Sequence, residues 1–409
     1  MRSSIDVLST LFLALLILAT VNPWYSHYLA IEGLLIFTLA TTGAIYFARR
    51  NLFISKKLLL LVGLFSIVFF VQWAVFGLFP FVTIAGFFVK ILCAYFIVNI
   101  CTNFPLAFVK VVFVLSSISL VIWFLEVFTP LSVLIELFPK QYANEASINT
   151  RSISPLYTSL TEDLDSSIKR NSGFAWEPAA FAGINIMAMM FCQFRTGNVW
   201  INKRKHYLIV FVMSVLSSQS TTAFVTLPIV LYLVYRHNAS KTKVNFRDIG
   251  KSLLFLFFVL LPVCVYFFNL PFVSEKIEQQ LQFTLLDSAE NGLNNSRFGS
   301  MIFDLSYFYD SPIFGNGLNE ITRYRFHGID EIALGHGNGL TDFLADFGLI
   351  VFIIVFCFIY RGIANHSPDD NVFPLLAALV LIMLLFSETY FNHPFFWCYV
   401  FLSNDTRRL

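Results

Sequence analysis

The sequence predicts an all-α, polytopic membrane fold of about twelve helical spans on three observations. The composition is strongly apolar, apolar runs long enough to cross a bilayer recur along the chain, and basic residues crowd onto one side of those runs. The chain has 409 residues, of which 57% are AVILMFWYC and 13% are charged, and its mean hydropathy is +0.73. Soluble domains carry about 25% charged residues. This composition therefore excludes a soluble globular domain, a disordered chain and a nucleic-acid binder. The 49 phenylalanines suit a lipid-facing surface. The net charge of +2 says little about partners, because in a membrane protein the placement of charge outweighs its sum.

A helix needs about 20 apolar residues to cross a hydrocarbon core of about 30 Å. That ruler places spans near 5–21, 28–48, 58–79, 81–101, 105–128, 178–194, 206–218, 221–236, 252–270, 337–360, 372–388 and 392–403. The seventh and eighth split one long stretch at Ser217-Ser218-Gln219-Ser220-Thr221-Thr222, whose polar residues mark a turn. The last is short, so it is tilted or partly interfacial. The chain thus divides into spans one to five (1–128), a loop (129–177), spans six to nine (178–270), a larger loop (271–336), and spans ten to twelve with a tail (337–409).

Sidedness follows from Lys and Arg. The runs Arg49-Arg50…Lys56-Lys57, Arg195…Lys203-Arg204-Lys205 and Arg236…Lys251, with Arg2, Arg361, Arg407 and Arg408, put 17 of the 27 basic residues on one side. The positive-inside rule makes that side cytoplasmic, with both termini there. Arg2 before an apolar stretch resembles a secretory signal, but no small-x-small cleavage site follows, so an uncleaved anchor is expected. The six cysteines (Cys93, Cys101, Cys192, Cys264, Cys357, Cys398) lie in or beside apolar runs with no CxxC pair, and read as packing residues.

Both long loops fall on the outer side, and chemistry is expected there. In the larger one, Ile277, Leu281 and Leu285 give Ser274–Leu286 the period of an amphipathic helix. Arg297–Asp310 reads as a second, with Met301, Leu305 and Phe308 on one face and Ser311-Pro312 ending it.

Several stretches carry candidate chemistry. Lys169-Arg170-Asn171-Ser172-Gly173-Phe174-Ala175-Trp176-Glu177-Pro178 ends with Pro at the first position of the sixth span. It reads either as an interfacial anchor, with Arg170 snorkelling and Trp176 in the aromatic belt, or as a phosphate site in which Arg170 offers its planar donor fork. Arg297 lies in a segment poor in cations, followed by Pro312-Ile313-Phe314-Gly315-Asn316-Gly317, where glycines allow a tight turn or close approach. Gly335-His336-Gly337-Asn338-Gly339 opens the tenth span. His336 there is either a cap residue or a general base, and Asn338 lies beside it. Asp342 and Asp346 share a helical face and point into the bundle or its mouth. Lys90 is the basic residue nearest the middle of a span, where it needs a partner or a wet cavity at a cost of about 2.5–3.5 kcal/mol. Arg323, Arg325 and His327 alternate in a polar run that either binds a polyanion or is solvated. Glu388, Tyr390 and His393, at the outer turn before the last span, are placed to close a site from its far side. No P-loop, GxSxG, HExxH or convincing DxD pair occurs, which argues against a nucleotide-driven pump and a metal-dependent enzyme using nucleotide sugars.

The order of these features resembles the O-antigen polymerase and O-antigen ligase superfamily (Wzy-type polymerases and WaaL-type ligases). The likeness rests on twelve spans with a large outer loop between the ninth and tenth. It rests also on Arg170-x-x-Gly173 with Glu177-Pro178, on Arg297 with Pro312-x-x-Gly315-x-Gly317, and on the stretch from His336 to Gly348. The resemblance implies a GT-C-like fold in the bacterial inner membrane. It implies metal-independent transfer of a glycan from an undecaprenyl-pyrophosphate-linked donor to a sugar hydroxyl, with no cofactor and with a chain-length regulator protein as a possible partner. His336, Arg297 and Arg170 would be catalytic, with Glu177, Arg323, Arg325, Asn338, Asp342 and Lys90 lining the substrate. Gly337 after His336, and the absence of Arg from the turn between the seventh and eighth spans, favour a polymerase over a ligase. A lipid-linked-oligosaccharide flippase is the alternative from another class, and would need repeats and several polar residues at mid-membrane.

Overall fold

The structure, a computed structural model, describes residues 2–50, 54–129, 140–142, 149–160, 169–194, 205–239, 254, 262, 297–323, 337–367 and 372–402. Helices occupy eleven of the twelve expected span positions. They are α1 (Arg2–Val21), a short α2 (Pro23–Tyr28), α3 (Ile31–Arg50), α4 (Lys56–Phe76), α5 (Phe81–Ile100) and α6 (Phe104–Phe128), then α7 (Pro178–Phe191), α8 (Lys205–Ser218) and α9 (Thr221–Ala239). After α10 (Arg297–Asp310) and α11 (Glu320–Arg323) come α12 (Gly339–His366), α13 (Val372–Ser387) and α14 (Pro394–Phe401). The ninth expected span (252–270) and the helix expected at Ser274–Leu286 lie outside the described residues. Among the described residues, five helices are long and apolar enough to cross a membrane, and further apolar helices are shorter, so the chain is a helical membrane protein.

Local chemistry sets the helix ends. Ser55 accepts from the Leu58 amide at 3.3 Å to begin α4, which ends at Gly77 in the left-handed region (φ 70°). Asn103 begins α6 by accepting from Leu106 at 3.1 Å, and Pro178 and Pro394 open α7 and α14, where a missing N–H costs nothing. Leu59, Leu60, Ile67, Phe70, Val121 and Phe124 are exposed on α4 and α6, a surface that only lipid would cover favourably. Inside, α7 is buried along its whole length, against α6, α8 and α9. Phe65, Phe87, Phe343, Phe347, Phe391 and Trp397 interlock in the centre, with Phe343 and Phe391 stacked at 3.9 Å.

The loop at 129–177 carries structure that the sequence does not announce. It contains an antiparallel sheet of β1 (Lys140–Tyr142), β2 (Asn149–Ser154) and β3 (Tyr157–Leu160), with β2 at the centre. Its strands are short and polar, so no apolar alternation announced them. Instead Glu126, at the last turn of α6, accepts from Tyr157 Oη at 2.6 Å and Ser159 Oγ at 2.7 Å and fixes β3 to the bundle. Glu126→Ala removes the bonds to both buried hydroxyls, at about 1–3 kcal/mol. Faster protease cleavage within 140–160, at unchanged membrane abundance, is the expected result.

The helix α10 spans the predicted residues; its buried face is Ser300, Asp304 and Tyr307, while Met301, Leu305 and Phe308 are half-buried. Polar partners on α12 decide this: Thr341 Oγ1 donates to Asp304 Oδ2 at 2.8 Å, and the Gly337 amide donates to Ser300 Oγ at 3.3 Å. In a membrane protein an apolar face has a second solvent to turn to, so apolar period alone does not identify the inward side.

The strongest backbone device is a break in α12 at Gly348 (φ 77°, ψ 174°). The turn after α10 fills it. The Asn316 amide donates to Ala345 O at 2.8 Å, the Gly317 amide to Asp346 O at 3.0 Å, and the Leu349 amide to Pro312 O at 2.8 Å. Gln72 of α4 adds bonds to Phe314 O (2.6 Å) and Asp346 O (2.8 Å). A helix broken at membrane depth needs such replacement partners, because lipid offers none.

Candidate functional site

Near the first turn of α12, the start of α10 brings Arg297 to Glu177 and Glu388. Its guanidinium Nη2 lies 2.9 Å from Glu177 Oε1 and 3.0 Å from Glu388 Oε1, and Nη1 donates to Ser387 O. A cation at the first position of a helix opposes the helix dipole, so the two carboxylates supply what the helix end does not. Burial works against the charge of Arg297, and Glu388 and Glu177 more than offset it, holding its pKa above the ordinary value.

Each member is fixed by its own segment. Glu177 precedes Pro178, at the end of a loop whose Gly173 (φ 56°) makes room for the Phe181 ring, 2.3 Å from where a Cβ would lie. Glu388 follows the last residue of α13, and Gly339 packs onto its backbone, where a Cβ would stand 2.3 Å from Glu388 O. Tyr390 Oη reaches Ala179 O and Ala180 O at 3.3 Å and fills the notch at Gly183. Trp176 stacks on His393 at 4.6 Å, flanking Glu177. Gly337, which follows His336 in the chain, packs against Arg297, with a notional Cβ 3.3 Å from its Cγ.

Two carboxylates and one guanidinium carry a surplus negative charge if all are ionised. Burial pushes the Glu388 carboxyl well above the usual carboxylate range. The charge of Glu177 and a hydrogen bond between the two carboxyls push it further, and Arg297 opposes them only in part. Burial also raises the Tyr390 hydroxyl, with Glu388 and Glu177 adding. The sign for stability follows. The folded chain keeps a proton on Glu388 that the unfolded chain releases near pH 4.3, the ordinary value of about 4.3 for glutamate. Its stabilising contribution is complete below that pH and declines as pH rises toward the raised folded value. Thermal melting scanned against pH should show this alkaline loss, and Glu388→Gln should flatten it.

The other candidates are distributed as follows. Arg170 is half-buried at the start of the Glu177 loop and is not among the residues that bond Arg297 in the described contacts. Its neighbour Asn171 donates from the amide to Ser217 O (3.0 Å) and from Nδ2 to Ser217 Oγ (2.9 Å), so the polar turn between α8 and α9 serves to hold this loop. Asn338 caps α12, accepting from Leu340 and Thr341 at 3.2 Å. Asp342 is buried in the first turn of α12, a favourable place for a carboxylate. Lys90 lies half-buried on α5. Arg323 ends α11, its side chain not described, and His336 and Arg325 lie outside the described residues. Sequence reasoning missed Glu126 and Gln72, each a lone polar residue in an apolar run, which is itself the signal that finds them.

A shallow cleft lies near the turn, between Trp73, Phe76, Leu78, Pro80 and Ile84 on one side and Asn316, Asn319 and Thr322 on the other. Comparison of the chain with known protein families and with curated proteins gives no match.

Proposed function

We propose that the chain is a polysaccharide polymerase of the inner membrane. It transfers a glycan from an undecaprenyl-pyrophosphate-linked donor to a sugar hydroxyl of a second lipid-linked repeat, at the outer face. The observation that carries this reading is the contact of Arg297 with both Glu177 and Gly337. That contact joins three segments far apart in sequence, the ones on which the resemblance to O-antigen polymerases rests. An arginine with no metal can serve a donor whose leaving group is itself a dianion, because charge-assisted bonds to phosphate oxygens both anchor it and stabilise its departure. In this reading Arg297 and Arg170 face the pyrophosphate, and His336 takes up the proton of the attacking hydroxyl. The lipid chain lies between spans or in a groove open to the bilayer, and the twelve-span GT-C-like topology and a chain-length regulator partner belong to the same proposal.

The test is complementation of a deletion strain, scored by polysaccharide laddering. Loss of long chains, with one repeat still attached to lipid A-core, supports a polymerase. Polymer left on its carrier lipid with nothing attached indicates a ligase instead, and repeats accumulating on the cytoplasmic side indicate a flippase.

A further inference from the structure

Three bonds fix how α10 lies against α12. The Gly337 amide donates to Ser300 Oγ at 3.3 Å, Thr341 Oγ1 donates to Asp304 Oδ2 at 2.8 Å, and the Leu349 amide donates to Pro312 O at 2.8 Å. The partners stand 37 residues apart in each pair, so α10 and the first segment of α12 run side by side, in the same direction and in register. The face of α10 held in this way is the polar one, with Ser300 and Asp304. The opposite face is therefore fixed outward, and it is apolar. Ile302 is 56% exposed and Tyr309 74%, with Leu305 half-buried between them, and Ile313 continues the strip into the turn at 51%. Ser306, exposed on the same face, donates its hydroxyl back to Phe303 O at 2.6 Å, so it presents no unmet donor to an apolar medium.

The level of this strip in the bilayer follows from α4. That helix has 21 residues, about 31 Å at 1.5 Å per residue, which is just the length that crosses a hydrocarbon core. Gln72 lies one turn before its last residue, about 6 Å inside that end. Gln72 Nε2 donates to Phe314 O at 2.6 Å and to Asp346 O at 2.8 Å, which holds the turn after α10 at the same level. Trp73 belongs both to the exposed surface of α4 and to the cleft against Asn316 and Thr322, so the lipid-facing surface of α4 meets the turn there. Asp310, exposed at the end of α10, keeps the strip near the headgroups, because a carboxylate is costly deeper in the core.

We infer that α10 is an interfacial helix: the strip of Ile302, Tyr309 and Ile313 lies against phospholipid acyl chains, about 5–10 Å inside the headgroups. The inference does not rest on the polymerase reading. An interfacial helix ordinarily turns its polar face to water. Here that face is held by α12, so α10 stands between the acyl chains and the start of α12.

Two measurements on the full-length chain, reconstituted in bilayers of phosphatidylethanolamine and phosphatidylglycerol, test this. A phospholipid with a diazirine on its acyl chain near the ester should cross-link the unaltered chain at Ile302, Tyr309 or Ile313, as mapped by mass spectrometry. Spin labels are placed singly by Ile302→Cys, Tyr309→Cys and Ile313→Cys, with the native cysteines changed to alanine. Each label should be reached by molecular oxygen in preference to a water-soluble nickel chelate, at a depth about 5–10 Å inside the phosphates. Ile67→Cys, exposed on α4, gives the reference reading for lipid. Cross-links on α4 with none over 302–313, or labels reached better by the chelate, put the strip in water and overturn the proposal. Labels screened from both agents, with no cross-link, mean that a second copy or another protein covers the strip, and overturn it as well. If the cysteine-free chain does not fold, the cross-linking pattern of the unaltered chain decides alone.

Discussion

Arg297→Ala should both abolish chain growth and destabilise the folded protein by about 3–5 kcal/mol, the usual cost of removing one partner from a buried ionic group. The loss arises less from the missing bonds than from what remains, two carboxyls facing each other beside the Ser387 carbonyl with no cation between them. The defect should shrink on acidification, because protonating the second carboxyl removes the repulsion, and grow as pH rises. Thermal melting of the purified protein across pH measures it. Combining Arg297→Met with Glu177→Gln and Glu388→Gln should recover most of the stability, since a neutral cluster has no unpaired charge to bury. Activity should not return. That separation distinguishes a residue needed for chemistry from one needed only for folding.

Gly348→Ala should be the most damaging substitution away from the cluster. At φ 77° and ψ 174°, Gly348 occupies a region that other residues enter at about 1–3 kcal/mol. A Cβ there would lie 2.2 Å from Ile313 O, so the turn would also have to move, adding about 1–3 kcal/mol. Gly315→Ala should have a similar effect from the other side, because its Cβ would lie 2.3 Å from Asp346 O at φ 68°. A melting temperature lowered in both variants, with no additive loss in the double variant, is the expected result.

Helix positions were readable because burial in lipid and burial in protein both demand long apolar runs. Which face of a helix looks inward was not readable for the same reason. On α10 the polar residues Ser300 and Asp304 are the buried ones, and the apolar period pointed elsewhere. Arg297, Glu177 and Glu388 could each be singled out as charged groups near span ends. Their pairing depends on three separate chain segments converging, which no local pattern encodes. The glycines at 315 and 348 were visible as a motif, but their function is mutual: each vacates the volume that the other segment's backbone occupies. Asn338, which lies beside His336 in the chain, uses its side-chain oxygen to cap α12.

The break in α12 also bears on how the protein is made. A continuous helix enters the bilayer with its own amides and carbonyls paired, so it needs nothing from the rest of the chain. This one leaves Ala345 and Asp346 carbonyls to be met by Asn316, Gly317 and Gln72. All three are translated earlier, so the groups that complete the helix already exist when it leaves the ribosome. The order of synthesis thus matches the order of need.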